Sequence, residues 1–80
     1  MSKYWKNGNK NNRPYAEIYY EEGIEKYYLY MWFENEWYDY MQDSFEICLG
    51  QAKDDFGISE KNWEDVTNTD YVGIMIRRVD

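Results

Sequence analysis

Histidine is missing from this chain, cysteine and proline occur once each, and nine lysines and arginines stand against sixteen carboxylates. Without histidine the commonest general base and metal ligand is gone, so catalysis is not expected. Cys48 has no second cysteine to bond with, which rules out an intramolecular disulfide and gives no sign of an oxidising compartment. The glycines, Gly8, Gly23, Gly50, Gly57 and Gly73, are too scattered for a phosphate-binding loop, so no nucleotide or other cofactor is expected. The carboxylate pairs Glu21-Glu22 and Asp54-Asp55 lack the spacing of a calcium loop and read as solvated surface, so no metal is expected either. No apolar run of spanning length, signal-peptide pattern or lipidation motif appears, which leaves the cytoplasm as the expected setting and no membrane as partner.

Positive charge is scarce and unevenly placed. The formal net charge is -7 and the pI is near 4.5. Binding to duplex nucleic acid or an anionic membrane draws its affinity from Lys and Arg on phosphates, so neither is an expected partner. Residues 1 to 13 carry Lys3, Lys6, Lys10 and Arg13 and no acid, whereas residues 14 to 76 carry fifteen acids against Lys26, Lys53 and Lys61. The polar KNGNKNNR stretch from Lys6 to Arg13 has no hydrophobic period. Residues 1 to 13 therefore read as a flexible basic N-terminal arm, and residues 14 to 80 as one domain.

Aromatic side chains are abundant: 21% of the chain, eleven of them between residues 15 and 40. A domain of 80 residues buries only about 60% of its unfolded surface, and large rings help such a small core suffice. From Tyr15 the chain alternates, with Ala16, Ile18 and Tyr20 on one face and Tyr15, Glu17, Tyr19 and Glu21 on the other. Glu22-Gly23 supplies a turn. Ile24 to Phe33 reads as a central strand, with Tyr27, Leu29, Met31 and Phe33 opposite Tyr28, Tyr30 and Trp32. After a turn at Glu34-Asn35-Glu36, Trp37 to Met41 completes a three-stranded meander. Asp43, with Glu46 three positions on, reads as a helix cap, and Phe45, Cys48, Leu49, Ala52 and Phe56 form the apolar stripe of a helix ended by Gly57. Gly50 inside it suggests close approach to the sheet. Tyr71 to Val79 alternates again and predicts a final strand with Val72, Ile74 and Ile76 inward. The fold expected is thus α+β: an antiparallel β-meander of about four strands, order β-β-β-α-β, with one main helix packed on one face.

Cys48 on that stripe reads as core rather than nucleophile. Bases of single-stranded nucleic acid stack on exposed aromatic sheets, but on positively charged ones, and the neighbours here are Glu and Asp. One helix covers one sheet face, which leaves Tyr15, Tyr19, Tyr28, Tyr30 and Trp32 on the other. These residues either strengthen cross-strand pairing or form a recognition face. On the second reading the chain is a small acidic intracellular module that inhibits or neutralises a basic protein partner by occlusion. It would act in the manner of a toxin-immunity protein or a phage inhibitor of a nucleic-acid-handling host enzyme. Glu17, Glu21, Glu22, Glu34, Glu36 and Asp39 would supply the field, and Tyr19, Tyr28, Tyr30 and Trp32 the anchors. The alternative is a structural or regulatory module that homodimerises through the same aromatic face or an edge strand.

Overall fold

In the computed structural model, which describes residues 2 to 76, five antiparallel strands form one sheet in the order β4-β3-β2-β1-β5. The strands are β1 (Lys3–Asn7), β2 (Tyr15–Glu21), β3 (Lys26–Phe33), β4 (Glu36–Gln42) and β5 (Trp63–Asp65), and the helix α1 is Phe45–Phe56. The fold is α+β, a meander with one helix packed on one face of its sheet. Pairing of Ala16 with Met31 and of Ile18 with Leu29 puts four fully buried side chains on that face. Cys48 and Ala52 of α1, together with Ile58, close over them. Trp5, Tyr27, Tyr38, Tyr40, Phe45, Leu49, Phe56 and Trp63 pack around this centre, so seven of the aromatic side chains form the rim of the core.

The helix lies where its apolar spacing predicts, with one shift at its start. Ser44, not Asp43, is the N-cap: its hydroxyl accepts the Ile47 amide at 3.1 Å. Asp43 instead pairs with Lys26 of β3. At the other end Gly57 adopts the left-handed conformation (φ 70°). There the Gly57 and Ile58 amides reach the carbonyls of Lys53 and Ala52 at 2.9 and 3.1 Å. Gly50 makes no close approach. A Cβ there would meet nothing within 4 Å, so the helix forgoes about 1 kcal/mol of propensity relative to Ala with no packing gained in return.

Two terminal segments depart from expectation. Lys3–Asn7, assigned to a basic arm, forms β1 inside the sheet, paired with β2 on one side and β5 on the other. What holds it is tertiary: the Trp5 ring lies 4.5 Å from Phe45, and buried Asn7 donates to the Ser59 carbonyl at 2.9 Å. Between the arm's remaining polar residues and β2, the Arg13–Pro14 peptide bond is cis. The strand predicted over Tyr71 to Val79 does not form over residues 71 to 76, and residues 77 to 79 lie outside the described residues. Among the described residues the sheet's last strand is β5. Residues 71 to 76 instead cross the sheet face opposite α1 as a bent strap.

Candidate partner-binding surface

On the face opposite α1 the register arranges side chains in rows that run across the strands. Tyr4, Tyr19, Tyr28 and Met41 form one row. The Tyr4 and Tyr19 rings stack at 5.2 Å, and those of Tyr19 and Tyr28 at 6.1 Å. Lys6, Glu17, Tyr30 and Asp39 form the next, and Tyr15, Trp32 and Trp37 the third.

The strap closes the half of this face that belongs to β1 and β2, and Glu17 is its anchor. Fully buried, at 0% exposure, the Glu17 carboxylate accepts four hydrogen bonds. Oε2 takes the Tyr15 hydroxyl at 2.6 Å and the Ile74 amide at 2.5 Å. Oε1 takes the Met75 and Ile76 amides at 2.8 and 2.9 Å. Two donors on each oxygen use the full acceptor capacity of a carboxylate. Because Tyr15 gives its proton to Glu17, its oxygen is left to accept from the Tyr71 hydroxyl. Three successive amides cannot converge on one group from an extended strand, whose N–H groups alternate in direction, so the strap bends here into an anion-binding nest. Lys6 and Lys10 lie 5.2 and 5.9 Å from the centre of the Tyr71 ring, and Lys10 donates to the Val72 carbonyl at 2.9 Å. The Lys-rich segment that reads as an arm thus holds the strap down.

This arrangement corrects the predicted recognition face. Glu17 is sealed within the chain, and Trp32, packed on Tyr15 and 7% exposed, shows a partner too little surface to anchor it. Tyr19 is half-buried beside Met75 and Ile76, where a cleft of about 230 Å³ remains. Glu21 and Glu22 stand at the β2–β3 turn, whereas Glu34 stands at the β3–β4 turn, the length of β3 away. Glu36 accepts the Tyr38 hydroxyl at 2.7 Å on the helix side. These acids do not form one cluster. What the fold does bring together is Tyr28, Tyr30 and Asp39, joined by Trp37 and Met41, which are 53% and 59% exposed. Trp37 and Met41 are absent from the expected set, yet the alternation Trp37-Asp39-Met41 along β4 places all three on this face. At the β3–β4 end, Arg13, Trp32, Glu34, Asn35, Glu36 and Trp37 line an open cleft of about 370 Å³.

Burial raises the Tyr15 hydroxyl far above its ordinary value of 10.0, helped by its bonds to Glu17 and Tyr71. Burial also raises Tyr30, beside Asp39, and Tyr27, beside Tyr20. Tyr38 is raised first by its bond to Glu36. In each case the unfolded chain releases its proton at a lower pH than the folded one. The stabilisation is therefore complete below pH 10 and is lost as pH rises through the folded-state values. Urea denaturation at pH 7, 8.5 and 11 should show a midpoint that is level over the first interval, as far as tyrosine is concerned, and falls over the second. The Cys48 thiol, fully buried, is pushed up to about 12, which makes it inert at neutral pH.

Among the described residues no group of three or more His, Cys, Asp or Glu is placed to hold a metal ion, and no helix is long and apolar enough to cross a membrane. No protein-family model, curated protein or solved structure matches the chain.

Proposed function

We propose that this chain is a small acidic protein-binding module that inhibits or neutralises a basic protein partner by covering its surface, without turnover. The partner class is that of a toxin met by its immunity protein, or of a nucleic-acid-handling host enzyme met by a phage inhibitor, in the cytoplasm. The observation that carries this reading is the half-face left open by the strap, where exposed Trp37 and Met41 flank Asp39 next to Tyr28 and Tyr30. Large side chains of limited flexibility supply contact area that loses water on docking, and carboxylates steer a cationic surface toward it. The overall charge of -7 acts in the same direction.

The test uses the immobilised protein as bait in bacterial lysate, alongside Trp37→Ala/Met41→Ala and Asp39→Lys variants. Both variants change exposed side chains, so their thermal midpoints should stay within a few degrees of the parent. A basic protein retained by the parent at low salt, released as salt is raised and not retained by either variant is the expected result. Equal retention by all three baits would remove this surface from the function.

A further inference from the structure

We infer that the outer edge of β4 is the docking line itself, and that it accepts an extended basic segment of the partner as a sixth strand. This rests on the binding role proposed above and names the mode of capture. Strand β4 runs seven residues, all in unbroken register with β3, and among the described residues no strand pairs with its other side. Its outward amides and carbonyls therefore form a continuous row available to a new strand. The sheet's opposite edge, β5, is three residues long and offers little to pair with.

Exposed edges are commonly protected by lysine, proline, a bulge or brevity. Strand β4, reading EWYDYMQ, has none of these. Its charges are Glu36 and Asp39, both negative, with Glu34 just before it and Asp43 just after. That charge decides the occupant. A second copy pairing antiparallel about the centre of β4 would set Asp39 directly against Asp39, and like charges in opposed positions destabilise a strand pair. A strand with Lys or Arg opposite Asp39 removes the repulsion and gains an ion pair. The same register sets the partner residues two places on either side against Trp37 and Met41, where apolar side chains would complete the row. The segment recognised thus has an apolar residue, any residue, Lys or Arg, any residue and a second apolar residue. On the helix side Tyr38 packs on Phe56 at 5.0 Å and Gln42 donates to Gln51 at 2.7 Å, so β4 is already tied to α1 before a partner arrives.

The probe is a blocked synthetic peptide alternating Val and Thr with Arg at its centre, titrated against the whole chain by backbone amide shifts. Three controls accompany it: the same peptide with Glu at its centre, the Arg peptide N-methylated on alternate amides, and the Asp39→Lys protein. The Arg peptide should shift β4 amides and bind about tenfold or more tighter than the Glu peptide. N-methylation, which leaves every side chain in place but removes strand donors, should cost about tenfold or more. Asp39→Lys should reverse the peptide preference. Equal binding by the N-methylated peptide would overturn the edge inference. So would absence of binding by every peptide at millimolar concentration, and so would a concentration-dependent protein dimer displaced by the peptide, which would make a second copy the occupant. Retention of a basic protein in the bait experiment reads the surface separately, so loss of the edge mode leaves that reading standing or falling on its own result.

Discussion

Glu17→Gln should destabilise the protein by about 2 to 4 kcal/mol, even though it changes one atom and almost no volume. The carboxylate is saturated by four donors, and a carboxamide replaces one acceptor oxygen with a group that carries two hydrogens of its own. Whichever way the amide turns, its NH₂ faces at least one donor across a buried contact. If it takes the Oε1 position, the Met75 and Ile76 amides lose their acceptor; if it takes Oε2, the Tyr15 hydroxyl and Ile74 amide lose theirs. A domain of this size has about 5 to 15 kcal/mol of total stability, so the loss is a large fraction of it. The urea midpoint reports it. A shift equivalent to less than about 0.5 kcal/mol, typical of a surface substitution, would mean that Glu17 is not buried against the strap.

The second large effect is expected at Gly73. A Cβ built there falls within the Glu17 carboxyl group, so Gly73→Ala cannot be accommodated while the strap keeps its place. Forced overpacking of this kind costs about 1 to 3 kcal/mol. Because the methyl group strikes Glu17 itself, the penalty depends on what stands at residue 17. In a Glu17→Ala background the atoms it would hit are gone, and Gly73→Ala should then cost much less than it does alone. A double-mutant cycle should give a coupling of about 1 kcal/mol or more. Simple additivity of the two changes would separate Gly73 from Glu17.

Helix α1 was legible because its stripe, Phe45 to Phe56, is a local pattern that packing confirms without altering. Its cap moved by one residue because two adjacent side chains, Asp43 and Ser44, both suit the role, and Lys26 on a distant strand claims Asp43. The central strands were legible for the same reason as the helix, since alternation through Ala16, Ile18, Leu29 and Met31 matches the buried face. Strand β1 was not, because Lys, Asn and Gly around it have little intrinsic strand preference, and its place comes from Trp5 and Asn7 meeting partners far along the chain. The C-terminal alternation misled for the converse reason. Val72, Ile74 and Ile76 have the spacing of a strand, but a carboxylate 57 residues earlier gathers consecutive amides and bends it. Nothing near Glu17 in the sequence distinguishes it from the exposed acids around it. As a result the recognition face read from sequence was too wide: Glu17 and Trp32 belong to the interior, and Trp37 and Met41 take their place at the open edge.

The confinement of the open surface to the β3–β4 half depends on the strap staying down on Glu17. Native-state hydrogen exchange at the Ile74, Met75 and Ile76 amides measures that directly. These three amides should be protected to nearly the same opening free energy as the β2 and β3 amides, and should lose that protection together in Glu17→Gln. Exchange of all three at unprotected rates in the parent protein, while β2 and β3 stay protected, would contradict the account: the strap would then be open in solution, with Glu17 and the Tyr15 hydroxyl uncovered.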